Sequence, residues 1–453
     1  MADFHDIQQR ETGLQQHLTS AQMVMIAIGG AVGTGLFMGS AFAIGFAGPA
    51  VLISYAIGAF IALLLIGALG EMTVAHPTSG SFGAYAEYYL GPMAGFVLRY
   101  AYWAALVLAV GMEVTAVGIY MAYWFPDVPQ WIWVAVFSAV LVGINLRSVK
   151  VYGAAEYTFS AIKVAAIVAF VLIGAYVVFG THTPGIGLQN YELGGGFWAK
   201  GLSGMWLGVI VAMFSYLGVE AIAVAAGEAQ HPQKAVQSAM KTTVLRLVLF
   251  YLLTLALMLA IVPWTEAATQ TSPFVRVMEI INIPYAAGVL NFVVLVAALS
   301  AMNSQLYTTS RMMFSLARAS QAPVAFGRTN AKGVPVAAIL ISSLGAAVAM
   351  FINAFWPEQS FMWMMSIAMF GCMFAWFMVF VTHLAFRRQR DREGAVSSFR
   401  MWGFPWLTLL GAVLMGAVLI TTAFTPEFRL TLVFGLPWLL VLSLIYHLRR
   451  KQH

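Results

Sequence analysis

Apolar stretches of about 20 residues recur from one end of this chain to the other, separated by short polar or Gly/Pro-containing breaks. A stretch of that length crosses the hydrocarbon of a bilayer as one helix. No water is available there, so each crossing segment must satisfy its own backbone hydrogen bonds. Composition agrees. Of 453 residues, 61% are hydrophobic and 9% charged, too little charge to cover a soluble surface of this size. The chain therefore reads as a polytopic, all-α membrane protein. Its first 19 residues are polar, so no secretory signal peptide is expected. Cys372 is the single cysteine and lies in an apolar segment, which points to a buried, inert thiol. The net charge of +6 reflects where basic residues lie relative to the membrane, and no nucleic-acid partner is expected.

Twelve spans are expected, at 20–44, 47–71, 93–124, 129–146, 157–179, 201–228, 241–262, 285–317, 335–355, 360–386, 404–424 and 429–448. Basic residues orient them. With both termini cytoplasmic, only Lys200, Arg276 and Arg429 of the 23 lysines and arginines fall outside, and Lys163 lies within a span; the other 19 are cytoplasmic. The positive-inside rule supports that topology. The expected organisation is a cytoplasmic tail over 1–19, a core of ten helices over 20–386 and a cytoplasmic loop over 387–403. Two further helices over 404–448 and a cytoplasmic tail over 449–453 complete it. Pro77–Tyr89 reads as a short interfacial helix or a loop on the cytoplasmic side.

Span 1 carries Gly29-Gly30-Ala31-Val32-Gly33-Thr34-Gly35, four glycines in seven residues. Glycine weakens a helix without blocking it. One reading is close helix packing through small residues. The other is an interruption at mid-membrane depth, tolerated where the freed backbone groups face protein, water or a ligand. The start of the second half-helix, near Thr34-Gly35-Leu36, suits a carboxylate. The carbonyls near Ile26–Gly29 suit an ammonium. These are the two poles of an α-amino acid. Span 6 carries a second candidate break, Phe214-Ser215-Tyr216-Leu217-Gly218-Val219-Glu220, which read alone could equally be a helix with one packing glycine. Four spans separate the two. They therefore take corresponding positions in two five-helix halves, the pattern of an inverted-repeat transporter.

Few ionisable residues lie within spans. Glu113, Lys163 and Glu220 each cost roughly 2.5–3.5 kcal/mol or more at mid-membrane, so they should face the bundle interior and be paired. Structural ion pairing or snorkelling competes with a functional role for them. Lys163 is deep for snorkelling, and a buried lysine can load and release a proton. Glu71 and Glu228 lie near the cytoplasmic ends of spans 2 and 6 and read as gate or cap residues. On span 8, Ser300, Asn303 and Ser304 share one face that could line a cavity. Histidines, the cysteine and acids show no metal-ligand spacing, so no metal is expected. No phosphate-loop motif is present.

Ordered motifs then resemble one family. They include IAIGGAVGTGLFMGS in span 1, GPAVLISYAIG and ALGEM in span 2 followed by PTSGSF, and EVTAVGIYMAYWFP in span 3. NLRSVKVYGAAEYTFSAIKV joins spans 4 and 5, and FSYLGVEAIAVAAGEAQHPQKA marks span 6. SPFV follows span 7, and NFVVLVAALSAMNSQLYTTSRMMFSLA forms span 8. The chain is similar over roughly residues 14–450 to the bacterial amino-acid transporter family of the amino acid–polyamine–organocation superfamily. The resemblance implies a leucine-transporter-like fold of two inverted five-helix repeats plus two extra helices, in the bacterial cytoplasmic membrane. It implies uptake of an amino acid with protons and without another cofactor. Gly30, Gly33, Thr34 and Gly35 would hold the substrate carboxylate. The backbone of Ile26, Phe214, Ser215 and Tyr216 would hold its ammonium. Lys163 would take part in proton coupling, with Glu220 and Glu228 as acidic positions linked to transport. Glu113 lies where selectivity could be set, and Asn303 is a further candidate substrate contact. One departure stands out: after Asn303-Ser304 the family usually has glycine, and this chain has Gln305.

The leading expectation is a proton-coupled amino-acid importer with a small-molecule substrate and the bilayer as its setting. A sensor with the same fold and a sodium-coupled symporter are the alternatives. A fixed cation at Lys163 argues against sodium. An enzyme is not expected, because no cluster of nucleophile, acid or metal ligands occurs. The sequence carries no signal for an oligomeric state.

Overall fold

Hydrocarbon leaves the backbone no partner but itself, and the chain answers with helices throughout. The computed structural model describes residues 4–10, 25, 32–78, 80–181, 183–225, 247–268, 272–395 and 399–450, and every regular element within them is helical. The main α-helices, in order, are α1 (Phe4–Arg10), α2 (Thr34–Phe37), α3 (Gly39–Ala47), α4 (Val51–Ala75), α5 (Ser81–Leu90), α6 (Pro92–Met121), α7 (Gln130–Arg147), α8 (Val149–Gly180) and α9 (Gly201–Ser215). Then follow α10 (Ala221–Ala225), α11 (Thr254–Ile261), α12 (Pro273–Ile281), α13 (Ala286–Arg318), α14 (Val336–Ser342), α15 (Leu344–Phe355), α16 (Pro357–Arg392), α17 (Trp406–Thr421) and α18 (Arg429–Arg450). Among the described residues, nine helical stretches are long and apolar enough to cross a membrane.

Burial sorts these helices into an inner and an outer set. The apolar windows of α6, α13 and α16 are 78%, 72% and 72% buried, against 17% for α7 and 28% for α8. Outer helices instead present large apolar side chains, such as Leu172, Tyr176 and Phe179 on α8 and Leu440 on α18, as a lipid-facing helix should. The inner helices approach closely because small residues line their contacts. A methyl on Gly345 would land on the carbonyl oxygen of Val107, and one on Gly111 would meet the carbonyl of Gly345, so α6 and α15 touch backbone to backbone.

Where span 5 begins is a correction to the sequence reading. Helix α8 starts at Val149 rather than 157, because Ser148 alone breaks the chain there. Its hydroxyl accepts from the Val151 N–H at 3.2 Å and caps the new helix. The expected Pro77–Tyr89 segment overlaps helix α5, which is pinned to α6 by Glu87 and Arg99 at 2.6 Å. The polar tail also carries order: Phe4 and Ile7 of α1 are buried, and Phe4 packs on His76 with ring centroids 4.1 Å apart. Glu71, at the end of α4, is fully buried. It accepts from His383 Nε2 at 3.1 Å, Arg387 Nε at 3.1 Å and the Met401 N–H at 2.9 Å. That cluster ties α4 to α16 and to the segment leading into α17.

Candidate substrate site

Within the described residues, a bend precedes α2 in span 1 and a turn separates α9 from α10 in span 6. Val32 and Gly33 form a bend before α2, with Gly33 in extended conformation (φ −131°, ψ −154°). In span 6, α9 stops at Ser215, and the turn over residues 216–220 precedes α10. Gly218 sits there at φ +98°, a region other residues rarely enter. Ile26, Gly30 and Glu228 lie outside the described residues.

Each break frees backbone groups that must find other partners. Lys163 Nζ donates to the Val32 carbonyl at 2.9 Å. The Thr34 N–H points to Glu113 Oε2 at 3.4 Å, so a carboxylate caps the new helix start. Tyr251 donates its hydroxyl to the Ser215 carbonyl at 2.8 Å. Gly218 N–H donates to Glu220 Oε2 at 2.9 Å, while Tyr102 donates to Glu220 Oε1 at 2.8 Å.

The two breaks also touch one another. Ser215 Oγ donates to the Gly35 carbonyl at 2.6 Å, and a Cβ placed on Gly35 would lie 2.6 Å from Ser215 Cα. Tyr55 donates its hydroxyl to Ser215 Oγ at 2.8 Å, and Tyr216 donates to the Tyr55 carbonyl at 2.9 Å. A narrow cavity opens at this junction. Gly33, Gly35, Glu113, Ser215, Ser304, Gln305 and Thr308 give it polar walls, and Tyr102, Leu106, Ala109, Phe214, Leu217 and Cys372 give it apolar ones. Gln305 Nε2 lies 3.4 Å from Glu113 Oε1.

The expected residues divide accordingly. Gly33, Gly35, Glu113, Phe214 and Ser215 surround one cavity. Thr34 opens α2 beside it, and Glu220 is tied to the Gly218 turn and to Tyr102. The Tyr216 ring packs among Tyr55 and Tyr251 instead. Lys163 sits behind the break, on the Val32 carbonyl. Asn303 is not part of the lining; its amide donates to Glu156 Oε2 at 3.0 Å and accepts from Asn145 at 2.8 Å. Glu156 itself is fully buried in α8 and went unnoticed in the sequence, because span 5 was expected to start one residue later. Its seven-residue spacing from Lys163, two helical turns, places both on one face.

A helix start and a helix break meeting at a buried, partly polar cavity inside a bundle of membrane-length helices fit a membrane transporter. Comparison with known proteins makes this specific. The amino acid permease family matches residues 22–453. The uncharacterized amino acid permease YtnA of Bacillus subtilis is 38% identical over 97% of this chain and 96% of its own length. The aromatic amino acid transport protein AroP of Escherichia coli O6:H1 is 39% identical over 98% of both chains, and AroP of Shigella flexneri is 38% identical over 98% and 97%. The chain belongs to the amino acid permease family.

Proposed function

We propose that this protein imports an amino acid across the bacterial cytoplasmic membrane by proton symport with alternating access. The proposal includes a twelve-span arrangement with an inverted five-plus-five repeat, two extra helices and both termini cytoplasmic; nine membrane-length helical stretches among the described residues support it. The observation that carries the reading is the contact between the two helix breaks at Gly35 and Ser215, beside a cavity walled by both. Backbone freed at such a junction suits the carboxylate and ammonium shared by all α-amino acids. The side chain of the substrate would then meet Tyr102, Leu106, Ala109, Leu217 and Phe214. That lining favours a neutral, apolar side chain, and the AroP relatives, whose name specifies aromatic amino acids, add support for an aromatic one. Lys163, held on the Val32 carbonyl directly behind the cavity, is the proposed coupling residue.

Purified protein in proteoliposomes tests this. Uptake should be driven by an inward pH gradient, should not need sodium, and should be competed by aromatic and large aliphatic amino acids. Uptake that follows sodium and ignores pH overturns proton symport. Binding without uptake favours a sensor.

A further inference from the structure

Outside the cavity, a buried polar cluster joins α8 to α13. Glu156, Ser160 and Lys163 lie along one face of α8, and all three are fully buried. Ser300 and Asn303 face them from α13, also fully buried. Asn145 completes the cluster from α7 through its 2.8 Å bond to Asn303 Oδ1.

The order of donors in this cluster is set by chemistry. Lys163 Nζ has protons and no lone pair when charged, so it donates to Ser300 Oγ, at 2.8 Å. A hydroxyl has one proton. With its oxygen accepting from Lys163, Ser300 donates that proton to Glu156 Oε1. Asn303 Nδ2 donates to the other carboxylate oxygen at 3.0 Å. Ser160 Oγ lies 3.3 Å from Glu156 Oε1 and 2.9 Å from the Met25 carbonyl. The result is a directed chain from ammonium through hydroxyl to carboxylate.

We infer that Glu156 and Ser300 form a proton relay with Lys163, and that Glu156 is the group to which Lys163 passes its proton during transport; this rests on the proton-symport reading. In the step, an N–H bond of Lys163 breaks as an O–H bond forms at Ser300, while the original Ser300 O–H breaks and its proton binds Glu156 Oε1. The products are a neutral amine, the same hydroxyl and a carboxylic acid, so no net charge moves into or out of the buried cluster. An uncompensated lysine at this depth would be costly, and a balanced exchange avoids that cost.

The relay reaches the cavity wall through the Val32 carbonyl. Lys163 also holds the Val32 carbonyl, one residue before Gly33 of the cavity wall. A charge-assisted hydrogen bond is roughly twice as strong as a neutral one. Moving the proton to Glu156 weakens that hold, and the bend at Val32–Gly33 becomes easier to move. Among the described residues, the ionisable groups around the pair include Glu113 from α6, which interacts electrostatically with Lys163, and Tyr152 on α8. On α13 stand Tyr307, stacked on Tyr152 at 4.2 Å, and Arg311, 3.8 Å from the Tyr307 ring.

Proteoliposomes and a radiolabelled mixture of the common amino acids separate the two levels. Accumulation driven by a pH gradient reads proton coupling; counterflow exchange without a gradient reads binding and alternation alone. In the wild type both should be present. Ser300→Ala and Glu156→Gln should lower the rate of pH-driven accumulation by about a hundredfold, the low end of what a positioned acid–base group supplies. Both should leave exchange nearly unchanged, and Ser300→Thr, which restores the hydroxyl, should recover accumulation. Either variant accumulating like the wild type overturns the relay while symport stands. Loss of both modes in Ser300→Ala that Ser300→Thr does not rescue assigns the cluster to packing and also overturns it. A wild type that exchanges but ignores pH removes the symport reading, and the relay with it.

Discussion

Gly35→Ala puts the meeting of the two broken helices under the most direct strain. The added Cβ would lie 2.6 Å from Ser215 Cα, 3.3 Å from Ser215 N and 3.4 Å from the Phe214 carbonyl. Carbon atoms rest at about 3.5–4.0 Å, so the two segments must part by roughly 1 Å. Backbone atoms are the obstacle, and no rotamer change relieves them. Parting the segments also stretches the 2.6 Å bond from Ser215 Oγ to the Gly35 carbonyl and reshapes the cavity between them. Inserting a methyl into a close-packed site costs about 1–3 kcal/mol. Set against the substrate-binding state, that is a loss of roughly 5- to 150-fold in affinity.

Gly39→Ala is the matched control. One turn further on, its Cβ would meet Val211 Cγ1 at 3.6 Å and Ser215 Oγ at 3.7 Å, which is ordinary contact. Alanine is also the better helix former by about 0.8–1.0 kcal/mol. This variant should bind as the wild type does and unfold at the same or a higher temperature. The assay is KM for uptake in proteoliposomes together with Tm of the purified protein. Gly35→Ala with wild-type KM, or Gly39→Ala as damaging as Gly35→Ala, refutes the argument that these two backbones build the binding geometry.

Three further outcomes are expected. Lys163→Met should abolish pH-driven uptake while the protein still folds, and intact pH-driven uptake would end the coupling role. Gln305→Gly removes a side chain from the cavity wall and should raise the ratio of bulky to small substrates taken up by about tenfold or more, as competition assays would show. An unchanged ratio removes Gln305 from selectivity. Arg387→Met leaves the buried Glu71 carboxylate without its 2.9 Å cationic partner, and breaking such a pair costs about 3–5 kcal/mol. The variant should unfold at a clearly lower temperature with KM unchanged; a wild-type Tm would show that His383 and the Met401 N–H suffice.

The membrane class, the helix-breaking glycines and the family motifs were legible because each is local: hydropathy over about 20 residues, or a few residues in order. Gly33 and Ser215 were identified that way, and both sit at breaks. Partnerships were not legible, because they join residues far apart in the chain. Nothing near Ser215 in sequence shows that its hydroxyl bonds the Gly35 carbonyl, or that Tyr251 holds its carbonyl. Glu156 was lost for a different reason. The polar run around Ser148 and Lys150 resembles a loop, yet a single capped residue separates α7 from α8. A carboxylate at a supposed helix edge attracts no attention, whereas the same carboxylate two turns from a buried lysine on the same face does. Asn303 shows the limit of a shared helical face. Ser300, Asn303 and Ser304 do cluster, but Ser304 lines the cavity while Asn303 turns to Glu156.

The partners of the freed backbone groups also differ in kind between the two breaks. At span 6 the Ser215 carbonyl is held by a neutral tyrosine hydroxyl, and the Gly218 N–H by a carboxylate from its own turn. At span 1 the Val32 carbonyl and the Thr34 N–H are held by Lys163 and Glu113, two ionisable side chains from other helices. A hydrogen bond to a charged partner changes strength when that charge changes; one to a tyrosine hydroxyl does not. At span 1 both groups are held by ionisable side chains of other helices, whereas at span 6 the ionisable partner, Glu220, belongs to the turn itself. Under the proposed symport, a proton exchanged on α8 would reach the bend at Val32 from outside span 1, while one taken up by Glu220 would act on span 6 from within its own turn.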